Sequence, residues 1–95
     1  MADDIFDEQT RPKQKIYNKF QYIAPLKDFT PAEIKAIRQE LGLSQKMLSQ
    51  LLGVHLRAAE AWEYGTKTPN GSARRMLMIL QADPDAMRRN GIAEW

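Results

Sequence analysis

The sequence predicts an all-α domain of five helices behind an N-terminal arm. Apolar residues recur at three- and four-residue intervals in successive short segments from residue 30 onward, the spacing of one helix face. Residues that favour helix starts precede these segments, and Gly42, Gly53 and Gly65 close three of them. A length of 95 residues at 43% hydrophobic content suits one small packed domain, with no internal repeat or low-complexity run to suggest another architecture. The natural division is an arm over 1–29 and a helical domain over 30–95.

The arm changes character along its length. Asp3, Asp4, Asp7 and Glu8 make the tip acidic, RPKQKIYNK over 11–19 is basic, and FQYIAPLKDF over 20–29 is apolar and aromatic. The tip is expected to be mobile, as polar chain ends are. Alternation of Phe20, Tyr22 and Ala24 fits a short strand stopped by Pro25. Three readings of 20–29 stand open. It folds back on the helical domain and hides Phe20, Ile23 and Leu26, it docks a protein partner or second subunit, or it is disordered.

The helices follow in order. Thr30, Pro31 and Glu33 start the first, with a cap, a proline where its missing N–H costs nothing, and the glutamate of a capping box. Ile34, Ile37 and Leu41 form its apolar stripe, Lys35 and Gln39 face solvent, and Gly42 ends it. Ser44 caps the second helix, whose apolar face is Met47, Leu48, Leu51 and Leu52. Gly53 then stands where the chain needs positive φ. His55 sits at the start of the third helix, Leu56 to Tyr64 carry it, and Gly65 ends it. Pro69, Asn70 and Gly71 supply turn chemistry before a fourth helix near Ser72, with Met76, Leu77, Ile79 and Leu80 as its buried face. Asp83 and Pro84 end it and lead into a fifth through Asp85, Ala86, Met87 and Arg88, stopped by Gly91. Trp95 is either a loose terminus or a contact to a second copy.

Composition excludes several chemistries. With no cysteine, disulfide frameworks and cysteine-based zinc sites are impossible, and a single histidine rules out a His/Cys metal cluster. No cofactor or enzymatic activity is expected. No apolar run approaches the length of a membrane span, and the acidic start is unlike a signal peptide, so a cytoplasmic location is expected. The net charge of +2 hides a division: the first ten residues carry −4, and the remaining fourteen basic and eight acidic residues give +6. A basic domain suits a polyanion, whose counterions Lys and Arg displace. Ordinary surface charge accounts for the same number, so charge alone does not decide.

The second and third helices, eight to ten residues each around a short glycine turn, have the proportions of a helix-turn-helix. That unit lays its second helix in the DNA major groove. Leu43, Ser44 and Gln45, then Leu48, Leu52, Gly53 and Val54, then Trp62, Glu63 and Gly65 make the chain resemble the Xre/Cro-like helix-turn-helix family. Ile37, Arg38, Leu41 and Gly42 extend the match upstream, and Pro69, Gly71, Ala73, Leu77 and Pro84 extend it downstream, over roughly 30–88. The resemblance implies a lambda-repressor-like fold. The P-x-G-x-A arrangement at 69–73 looks most like small antitoxin-type regulators encoded beside toxin genes.

The site residues follow from that resemblance and from helix geometry. If Val54, Ala58 or Ala59, and Trp62 face inward, then Leu56, Arg57, Glu60, Ala61 and Tyr64 face out. Arg57 is the candidate base reader, since its fork matches guanine O6 and N7; a phosphate contact or a solvated charge are its other readings. Leu56 and Ala61 complete the candidate base-reading set, Leu56 through a thymine methyl. Gln45, Lys46, His55, Lys67 and Thr68 are candidate phosphate contacts that position without reading sequence. His55 equally suits a simple capping or solvent role. The resemblance also implies a structural ion pair between Arg38 and Glu63. Ala58 and Ala59 are smaller than the family's usual residues, a gap for Met47 or Met76 to fill, and Glu60 repels phosphate. The function implied is a sequence-specific DNA-binding transcriptional regulator. It is expected to act as a repressor and homodimer on double-stranded operator DNA. The first candidate for the dimer seam is Ile79 to Trp95 and the second is the arm, and a narrower reading makes the chain an antitoxin that docks its toxin through 1–29. The alternative is a protein-interaction adaptor that keeps the fold without binding DNA.

Overall fold

A computed structural model describes residues 22–95, so the acidic tip, the basic run and Phe20 lie outside the described residues. Among the described residues the chain forms five α-helices and no strand: α1 Pro31–Leu41, α2 Gln45–Leu52, α3 Leu56–Tyr64, α4 Gly71–Ala82 and α5 Ala86–Arg89. α3 packs against α1 and α2, while α4 packs against α1 and carries α5.

Local chemistry sets the helix ends. Thr30 Oγ1 accepts the Glu33 N–H at 3.1 Å, and the Glu33 carboxylate accepts the Thr30 N–H at 2.8 Å. This reciprocal box satisfies N–H groups that the first turn leaves open. Ser44 Oγ accepts the Met47 N–H at 3.1 Å, and Asn70 Oδ1 accepts the Ala73 N–H at 2.9 Å. The Asn70 cap places the start of α4 at Gly71, one residue before the expected Ser72. Gly53 takes φ 71°, a left-handed turn that lets the Val54 N–H reach back to the Ser49 carbonyl at 2.9 Å.

The core draws on every helix. Ile34, Leu48, Leu77 and Leu80 are its most enclosed large side chains, joined by Ile37, Leu41, Leu43, Ala59, Trp62, Ala73 and Met87. Two expected core positions stand outside it: Met47 and Ile79 are each 41% exposed. A one-residue step turns a helix by about 100°, so with Leu48 and Ser49 inward on α2 and Leu80 inward on α4, Met47 and Ile79 swing toward solvent. Met76, not Met47, packs beside the core that contains Ala59.

The arm's described part corrects two expectations. Residues 22–29 form no strand, and the Ala24 carbonyl accepts from Arg75 Nη1 at 2.8 Å in place of a strand partner. Ile23 and Leu26 are exposed, and Phe29 is the arm residue that enters the core. It directly precedes the Thr30 cap, and with Ile34 it occupies the two positions of a hydrophobic staple. Lys27 donates to Gln81 at 2.9 Å, and Asp28 pairs with Arg74 at 2.9 Å. Both anchors lie on α4.

The C-terminal end is held within the same molecule. Trp95 Nε1 donates to the Leu41 carbonyl at 2.9 Å, and the Arg88 guanidinium lies 4.6 Å from the Trp95 ring centre. The expectation of a loose end is corrected: the terminus is tied to α1 and to α5.

Candidate nucleic-acid interface

Burial fixes which face of α3 is free. Ala59 and Trp62 are fully inside, and Val54 and Ala58 lean on the same core. The opposite side presents Leu56, Arg57 and Tyr64 to solvent, with Glu60 and Ala61 half-buried between.

An ion-pair cluster holds that face in place. Arg38 Nε and Nη2 donate to the two Glu63 oxygens at 2.6 and 2.9 Å, and Nη1 donates to the Leu43 carbonyl at 2.9 Å. One guanidinium therefore ties α1, the link to α2 and the C-terminal half of α3, with the two-point geometry that arginine and carboxylate share. Both side chains are largely shielded, at 14% and 6% exposure. The Arg38 hydrogen bonds hold the Glu63 carboxyl below the usual carboxylate range against the opposing effect of burial, and the same bonds raise Arg38. Gln45 Nε2 joins the cluster, donating to Glu63 at 3.2 Å. The Gln45 amide thus links the first turn of α2 to α3, a role absent from the expectation of a phosphate contact.

The loop after α3 folds back on its helix. The Ala61 carbonyl accepts the Gly65 and Thr66 N–H groups at 2.9 and 3.0 Å, which carries Lys67 alongside α3. His55, Leu56, Arg57, Ala58, Ala61 and Lys67 then line one concavity. The three candidate readers and two candidate phosphate contacts are together there. Lys46 and Thr68 are exposed outside that lining. His55 occupies the α3 cap position, but its side chain makes no capping bond. Sequence reasoning missed the Gln45–Glu63 bond, because nothing in residue type or spacing marks which amide meets a distant carboxylate. It also missed Phe29, although an apolar residue directly before a Thr-x-x-Glu cap is a legible staple signal.

The comparisons agree with this geometry. The helix-turn-helix family matches residues 34–73, a span that includes all of α2 and α3. Antitoxin HigA-2 of Vibrio cholerae serotype O1 (strain ATCC 39315 / El Tor Inaba N16961) is 33% identical over 60 residues, 63% of this chain. The chain spans 58% of that relative's length. Over residues 34–73 this chain carries a helix-turn-helix domain of the Xre/Cro-like type, similar to antitoxin-type regulators.

Proposed function

We propose that this chain is a sequence-specific regulator that binds double-stranded operator DNA as a homodimer, represses transcription and serves as an antitoxin. The observation that carries the reading is the free face of α3, where Arg57 projects between apolar residues and Lys67 flanks it. A helix so presented fits the major groove. Arg57 reads guanine there, with Leu56 and Ala61 beside it. Lys46, His55, Lys67, Thr68 and the unused polar atoms of Gln45 contact phosphates. Glu63 has no catalytic part in this reading, since its carboxylate is occupied by Arg38 and Gln45.

The antitoxin role is supported by the similarity to Antitoxin HigA-2. Docking of a toxin is assigned to 1–29, of which the described portion exposes Tyr22, Ile23 and Leu26. Dimerisation is assigned to the C-terminal part, where Ile79 and Ile92 are exposed.

A mobility shift with the DNA flanking the chain's own gene tests the reading. Binding should weaken steeply with salt, because each neutralised phosphate adds about −0.9 to the slope of log affinity against log salt. Arg57→Ala should keep its helical content and lose roughly 5- to 150-fold in affinity, the value of one bidentate base contact. Failure to shift any flanking fragment would favour a protein-interaction adaptor.

A further inference from the structure

The concavity on α3 is chemically one-sided. Arg57 and Lys67 offer only hydrogen-bond donors. Between them lie the aliphatic groups of Leu56, Ala58 and Ala61, and His55 completes the lining. None of these six side chains carries a carboxylate or amide oxygen, the one side-chain acceptor available is a ring nitrogen of His55 at the rim, and Glu60 of the same helix does not line the concavity. The Ala61 carbonyl is engaged by Gly65 and Thr66.

In the major groove, adenine and cytosine present exocyclic amino groups, which need acceptors. Placed against the Leu56, Ala58 and Ala61 side chains they would be buried without partners, a costly arrangement. Guanine presents two acceptors, and thymine presents one acceptor and the C5-methyl group. These edges match a surface of donors and methyl groups.

Resting on the DNA-binding reading, we propose that this concavity is a thymine-methyl reader. Leu56, Ala58 and Ala61 enclose one or two thymine C5-methyl groups next to a guanine held by Arg57. Specificity then comes partly from burying methyl groups, a contribution independent of the phosphates and of base hydrogen bonds.

Replacing thymine by uracil removes the methyl group and keeps the Watson–Crick and major-groove oxygen. The full chain is titrated against the duplex flanking its own gene, first with thymine and then with uracil at single positions. Uracil at one or two thymines per half-site, adjacent to a guanine whose N7 is required, should weaken binding about three- to fivefold each. Uracil elsewhere should have no effect. Leu56→Ala, at a 38% exposed position that leaves the core intact, should bring the thymine-to-uracil affinity ratio close to one. Arg57→Ala should weaken both duplexes and keep the ratio. Equal binding of thymine and fully uracil-substituted duplexes overturns the proposal and leaves DNA binding standing. A ratio unchanged by Leu56→Ala also overturns it. Absence of any shift with the thymine duplex sinks the DNA-binding reading itself, before substitution begins.

Discussion

Arg38 is the residue on which the orientation of α3 depends. Its guanidinium spends its hydrogen bonds on Glu63 and on the Leu43 carbonyl, so truncation leaves a shielded carboxylate without its main partner. Arg38→Ala should cost about 3–5 kcal/mol, read as a shift of the urea midpoint. The pair also makes stability depend on acid. The folded-state pKa of Glu63 lies below its ordinary 4.5, chiefly through the Arg38 hydrogen bonds. The stabilising effect is therefore complete above 4.5 and disappears as pH falls through the lower folded value. The stability difference between the parent and Glu63→Gln should start to shrink as pH drops below about 4.5 and reach its minimum below the lower folded value, where both carry an uncharged group. A difference that stays constant from neutral to acid pH would contradict this account.

The helices differ in how well their ends are closed. α2 is capped by Ser44, whereas His55 at the head of α3 has suitable backbone angles, φ −69° and ψ 149°, but contributes no side-chain bond. The two sites therefore predict opposite outcomes. Ser44→Ala should destabilise by about 1 kcal/mol, and His55→Ser should stabilise by a similar amount. In a domain of this size each corresponds to about 4–8 °C in Tm, which calorimetry resolves. Legibility divides at this same scale. Thr30, Pro31, Glu33, Ser44, Gly53 and Gly65 mark boundaries in the sequence because capping acts between residues three or four apart. Gln45 binding Glu63, Arg75 binding the Ala24 carbonyl and Trp95 reaching Leu41 were not legible. Their partners meet only after the helices have packed. Met47 and Ile79 are apolar yet exposed, because residue type alone does not set burial. Periodicity over an eight- or twelve-residue helix leaves the exact inward direction undetermined until its neighbours define it.

At the scale of the whole molecule, the proposed homodimer needs an apolar surface that the core does not already use. Ile92, 62% exposed, is such a residue in the C-terminal part. Ile92→Asp should preserve the helical spectrum, shift sedimentation toward the monomer and lower operator affinity at least tenfold through loss of the second half-site. A dimer unchanged by both Ile92→Asp and Ile79→Asp would move the seam away from this end, with the arm as the next candidate. The solvent-facing side of α3 was legible from helix periodicity at Arg57 and Leu56, which are exposed. Its extension through Lys67 was legible only as a position in the following loop, since the bonds of Gly65 and Thr66 to the Ala61 carbonyl set its place.

The clasp between Trp95 and Leu41 joins positions 54 residues apart. Closing a loop between distant positions costs chain entropy that the intervening helices reduce once they have packed. The clasp should therefore form after those helices, and hydrogen exchange should reach the Trp95 indole N–H before the amides of α1, α2 and α3, whose mutual contacts are closed over shorter stretches of chain.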